Sequence, residues 1–304
     1  NFNTQKTEDA AVKAIRVSAG SIQAKPDGLL FDNIILSNKK ELKKTASATL
    51  FEAFKPSLYK YAPAKNLIAY LEGHHLGNII LNGFGGIPLG SEILNKGFAV
   101  SISDAYNLLP AISLFVDASE APDKAKNVLQ QLDGALDGVI AAVNTTMHVD
   151  LSNPVFEKNK LGNRNLVKIY LNRLPQKDFK IPLLNLLSEP VELSYGMDSN
   201  NILFISMLPD FNLENGKNDS VENTDLFKKA LKLNSSGDGD SGGEPGNIFI
   251  FDGKIFGNFI SRLAKEKIGF EILKKYLAPI KSYVQIGSGN GINIKGKGFL
   301  NISF

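Results

Sequence analysis

No cysteine occurs among the 304 residues, which excludes disulfides, thiolate metal sites and cysteine nucleophiles within this chain. Histidine is scarce as well, with three in all, so imidazole chemistry could use only His74, His75 or His148. No apolar run approaches the roughly 20 residues a membrane helix needs, and the best stretch, residues 138–143, reads as the end of an amphipathic helix. An excess of one charge is missing too: 34 basic and 31 acidic residues leave a net charge of +3, which argues against nucleic acid or an anionic membrane surface as a partner. What remains is a chain with 43% hydrophobic and 21% charged residues, enough to bury a large core as one big domain or two ordinary ones. It opens on Asn1, as expected if a leader or anchor has been removed and equally if the chain was trimmed.

The sequence echoes itself. LIAYLEGHHLGNII (residues 67–80) and NIFIFDGKIFGNFI (residues 247–260) share an ungapped frame in which Glu72, Gly73, Gly77 and Asn78 fall on Asp252, Gly253, Gly257 and Asn258. Upstream, VSAG (17–20) answers LSYG (193–196), and each is followed by a lysine-rich helical stretch. Downstream, GFAVSI and NLLPAISLFVD answer SYVQIG and GINIKGKGFLNISF as alternating strand pairs. The expected fold class is therefore α+β: an internal duplication of a strand-strand-helix-strand-helix-hairpin unit, with twisted antiparallel sheets and helices packed on one face. The expected halves are residues 1–165 and 166–304, joined into one continuous body or not. The frame reads as a strand that stops at Glu-Gly or Asp-Gly and restarts with helical spacing at Leu76, Ile79 and Ile80, and at Phe256, Phe259 and Ile260. A phosphate cradle at Gly73 and Gly77 would need more glycines and a basic or hydroxyl partner.

Three motifs suggest chemistry, each beside a plainer reading. GDSGG (239–243) spells the surroundings of a trypsin-like nucleophile at Ser241, yet it lies where the second copy is longer than the first, in a Ser/Gly/Asp run typical of a solvated connection. Asp238, Asp240 and Glu244 alternate like calcium ligands, but Phe249 stands where an EF-hand loop needs its closing glutamate. His74 and His75 are adjacent, so on a regular helix or strand they cannot face one site, and a metal centre would have to recruit His148 and carboxylates. The segment EAPDKAKNVLQQLDGALDGVIAAVN carries an apolar stripe from Ala125 to Val143 and reads as a helix packed on a sheet. The strands GFAVSI, AISLFVD, LVKIYLN, PVELSYG and NILFISML alternate or run apolar, and two long loops, 209–223 and 234–246, come after them.

YAPAKNLIAYLEGHHLGNII, the block GFAVSISDAYNLLPAISLFVDASEAPDKAKNVLQQLDGAL, and the later LSYGMDSNNILFISMLPDF, TDLFKKALKL and PGNIFIFDGKIF together resemble an uncharacterised bacterial domain family over about residues 17–304. Members of that family typically carry a signal or a single membrane anchor, so the resemblance implies an extracytoplasmic protein of the cell surface or periplasm, a lipoprotein or otherwise anchored through its N-terminus. The shared motifs are packing patterns, and the family has no established activity. The resemblance therefore assigns no catalytic, cofactor-binding or metal residues, and no cofactor is expected. The function expected is non-enzymatic binding of a small molecule, lipid, glycan or envelope partner, with contact to membrane only through an anchor. Two alternatives stay open: a hydrolase or metal-dependent enzyme using His74/His75 or Ser241, and a structural stalk or spacer.

Overall fold

The computed structural model describes residues 14–42, 52–75, 91–106, 108–146, 154–174, 189–213, 219–235, 246–265, 271–289 and 293–302. Its strands are β1 (Ile15–Lys25), β2 (Gly28–Ser37), β3 (Leu67–Gly73), β4 (Phe98–Ser103), β5 (Ala111–Asp117), β6 (Phe156–Leu161), β7 (Arg164–Ile169), β8 (Val191–Met197), β9 (Ile202–Ser206), β10 (Ile248–Asp252), β11 (Ile280–Gly289) and β12 (Asn293–Ile302). The helices are α1 (Lys39–Leu42), α2 (Pro122–Thr146), α3 (Asp225–Ser235), α4 (Gly253–Lys265) and α5 (Glu271–Leu277).

All the strands join one 12-stranded sheet in the order β1-β2-β12-β11-β10-β3-β4-β5-β9-β8-β7-β6, and every pairing is antiparallel. This corrects the expected α+β class with helices on one face. The helices are few, and they lie on both faces of a single sheet. The physical reason is visible in the central strands, where alternate residues on each side are apolar. Ile248 and Ile250 of β10 join the core beneath α3, whose Phe227 and Ala230 are buried there. Their neighbour Phe251 faces the other way, onto Phe259, Ile260 and Leu263 of α4. A strand that is apolar on both sides must be covered twice.

The order can be read outward from the β10–β3 pair. One way runs β10, the hairpin β11–β12, then the hairpin β2–β1. The other runs β3, the hairpin β4–β5, then the hairpin β9–β8, with β7–β6 added beyond. The two echoing stretches thus lie side by side, Ile248 opposite Glu72 and Ile250 opposite Tyr70.

The second-copy corner forms as the frame predicts: β10 passes directly into α4, and the Ile255 amide donates to Asp252 Oδ1 at 2.9 Å, an N-terminal cap. The first-copy corner, residues 76–80, lies outside the described residues. α2 packs its Ala125 against Val116, Ala118 and Leu203, on the same face as α4. Farther along, the buried Tyr195 donates its hydroxyl to Asp133 of α2, and Lys158 Nζ sits 2.9 Å from Asp133 and 2.7 Å from Asp137. Tyr195 first and Lys158 second hold the Asp133 carboxyl below its ordinary range.

On the face of Tyr70, Phe115 and Phe204, no α-helix among the described residues covers the β4–β5–β9 region. Irregular chain does, through Leu58, Ala62, Phe211, Leu213 and Val221. Two of these segments are tied together, with the Val221 amide donating to Ala62 O at 2.8 Å and the Ala64 amide to Asp219 O at 2.8 Å.

Candidate functional site

Irregular chain laid on a sheet brings backbone N–H groups into the interior, where each must find an acceptor. The sheet supplies them. Glu72 of β3, fully buried, accepts from the amides of Ser57 at 2.6 Å and Leu58 at 2.7 Å through Oε1, and from Tyr59 at 3.2 Å and the Tyr70 hydroxyl at 2.6 Å through Oε2. Burial pushes the Glu72 carboxyl above its ordinary value, against the pull of these four donors. Tyr70 itself is held well above the phenol range, by burial first and then by the adjacent carboxylate, and so remains a donor. Glu192 of β8 repeats the device, accepting from the Asp210 amide at 2.8 Å while Lys168 Nζ stands 3.0 Å from its other oxygen.

Beside these carboxylates runs a row of serines on directly paired positions: Ser101 of β4, Ser113 of β5, Ser206 of β9 and Ser194 of β8, all fully buried. Ser113 and Ser206 share a hydrogen bond of 2.7 Å, and Ser206 Oγ also accepts from the Leu208 amide at 3.2 Å. The hydroxyls of Ser101 and Ser194 have no partner among the described residues. A nucleophilic serine requires a base within hydrogen-bond reach, and none of these four has an imidazole or a carboxylate as partner. The row is packing with a polar residue left in it. Ser194→Ala is accordingly expected to hold stability within about 1 kcal/mol of wild type, on the stabilising side, in urea unfolding.

The residues singled out in the sequence fall elsewhere. His74 is buried, its ring stacked on Phe54 with centroids 4.6 Å apart and planes 7° from parallel. His75 takes a left-handed backbone (φ 56), which turns its ring to within 4.6 Å of the His74 ring instead of the opposite side of a strand. Its Nε2 lies 3.0 Å from Glu52 Oε2, so the two histidines do come together, beside one exposed carboxylate. Ser241, His148, Asp238, Asp240 and Glu244 lie outside the described residues. Among the described residues, no cluster of three or more His, Cys, Asp and Glu could hold a metal ion.

A cleft of about 400 Å³ opens at the β6–β7 turn and is lined by Leu161, Arg164, Met197, Asn200, Phe204 and Leu213, among others. The local chain dictates its shape. Gly162 turns β6 into β7 at φ 62, which sets Arg164 opposite Gly196 of β8, and Gly196 opposite Phe204 of β9. A Cβ at Gly196 would come 2.6 Å from Asn163 O and 3.2 Å from the Phe204 ring, so only glycine leaves this floor open. The opposite wall is the turn from Asp198, whose Oδ1 accepts from the amides of Asn200 at 2.9 Å and Ile202 at 2.8 Å. Asp198 is thus engaged by its own turn. Arg164 Nη1 is buried and has no hydrogen-bond partner among the described residues.

A guanidinium presents a fork of N–H donors that matches a carboxylate or phosphate, and a buried donor left unmade costs about 1–3 kcal/mol. The cleft therefore brings together a guanidinium nitrogen with no partner among the described residues, the Phe204 ring and a polar turn. Sequence reading missed Arg164 because LGNR announces only a turn, and the matching glycine lies far along the chain.

No family model matches this chain, and no curated protein and no solved structure matches it.

Proposed function

We propose that the protein is a non-enzymatic binding protein that takes a small molecule carrying an oxyanion, carboxylate or phosphate, in the cleft above Phe204. The observation that carries this is the buried Nη1 of Arg164, without a hydrogen-bond partner among the described residues, on a residue that lines a cleft of about 400 Å³. Among the described residues the serine row has no base, and Glu72 and Glu192 are engaged by backbone amides, which supports binding over turnover. The resemblance of residues 17–304 to an anchored bacterial domain family supports an extracytoplasmic setting for that binding.

The test is thermal unfolding of the chain with added inorganic phosphate, and separately with citrate, at constant ionic strength. One of the two should raise the midpoint saturably, by as much as about 2.7 kcal/mol of stabilisation at a hundredfold excess over Kd. Arg164→Gln should abolish the rise. An equal response in wild type and variant, or none in either, refutes the reading.

A further inference from the structure

The two edges of the sheet are not alike. β6, at one end, carries Glu157, Lys158 and Lys160 within its six residues, the charges by which natural sheets keep an edge from pairing. β1, at the other end, is an 11-residue strand whose every residue is exposed, with Ile15, Val17 and Ile22 at 40%, 48% and 67%. It has no proline, and its only charges, Arg16 and Lys25, stand near its two ends. Among the described residues it pairs with β2 alone.

The strand order shows what such an edge accepts. β1 and β8 occupy equivalent places, each the outer strand of a hairpin added to the far side of β12 or β5. β8 does not end the sheet: β7 pairs with it antiparallel from Arg164 opposite Gly196 to Ile169 opposite Val191. β1 offers the same outer edge, with no strand upon it among the described residues.

We infer that the β1 edge pairs antiparallel with β1 of a second copy of this chain, joining two sheets about a two-fold axis at Gly20. The occupant follows from the charge pattern. In the full-length antiparallel register Ser18 faces Ile22, Ala19 faces Ser21, Val17 faces Gln23, Arg16 faces Ala24 and Ile15 faces Lys25. No cation meets a cation directly, and Ile22, the most exposed apolar side chain of the strand, gains a neighbour. The proposal is independent of the Arg164 cleft, which lies near the opposite end of the sheet.

Sedimentation equilibrium of the whole chain, over a wide range of concentration, should show a species of twice the chain mass. Ser18 and Ile22 face each other across the axis, so their substitution is diagnostic. Ser18→Lys with Ile22→Lys places two symmetric like-charge pairs in the interface and should raise the dimer dissociation constant about tenfold or more. Ser18→Lys with Ile22→Glu alters the same two exposed positions but sets opposite charges face to face, and should restore association. A wild-type chain that is monomeric at every concentration overturns the inference and leaves the edge to a different chain or to none. So does a lysine pair that dimerises as well as wild type, or a lysine-glutamate pair that dissociates as readily as the lysine pair.

Discussion

Glu72→Ala is expected to destabilise the protein by about 3–5 kcal/mol, measured by urea unfolding. The substitution strands the amides of Ser57, Leu58 and Tyr59 and the hydroxyl of Tyr70 in the interior without the carboxylate that accepts from them. Those amides open the 3₁₀ turn Leu58–Lys60, which seats Leu58 in the main core, so the loss of the anion also releases the irregular cover above β3. Glu72→Gln keeps one accepting oxygen and the same shape, and should cost about 1 kcal/mol.

The two variants also predict a pH dependence. Burial places the folded pKa of Glu72 above its ordinary value of 4.5. The folded state therefore holds this proton more tightly than the unfolded chain does. Its contribution is greatest below 4.5 and declines as pH rises through the folded value. The stability difference between wild type and Glu72→Gln should accordingly shrink with rising pH across that window. A difference that grows instead would show that the donors outweigh the burial.

Gly253→Ala should cost about 3 kcal/mol, by contrast with Gly73→Ala at under about 1 kcal/mol. A Cβ at Gly253 would stand 2.1 Å from the carbonyl oxygen of Ile280 and 2.9 Å from its carbon, both backbone atoms of the neighbouring β11 start. Neither can move without shifting a strand. At Gly73 the nearest obstacle, at 2.8 Å, is the side-chain oxygen of Asn247, which can rotate aside. The same glycine in the same frame is thus indispensable in one place and replaceable in the other. Thermal unfolding of the two variants in parallel checks the contrast, and equal midpoints would refute it.

These two positions also show what sequence reading can and cannot reach. The corner at Asp252-Gly253 was legible, because an apolar strand stopping at an acid and glycine and resuming with helical spacing has one local solution. Strand β5 was equally plain from the alternation in AISLFVD, and its observed bounds, Ala111–Asp117, coincide with that stretch. Sheet assembly was not legible. Runs such as NIFIFD and NILFISML are apolar on both sides, and this signals cover on two faces, but nothing local says that β10 will pair with β3 instead of ending a separate sheet.

In the sequence Glu72 and Asp252 mark the same strand-ending corner, and Asp252 does cap the helix that follows it. The longer glutamate side chain reaches back instead, to cap the turn that precedes it in the chain. In the candidate site, His74 and His75 were visible as a pair, and a left-handed residue brings their rings together. Arg164 escaped notice because its isolation depends on Gly196 and Phe204, which pairing alone brings beneath it.

The seat of β2 has a consequence for how the chain is made. Its partner β12 runs from Asn293 to Ile302, far along the chain from the hairpin, with Leu30 opposite Phe299 and Ile34 opposite Lys295. A ribosome releases this hairpin well before it synthesises the strand the hairpin needs, so β1 and β2 wait for β12 as an unattached ribbon. Closure of the sheet must follow the synthesis of β12, slowed by the entropy of the long intervening loop and open until then to capture by neighbouring nascent chains.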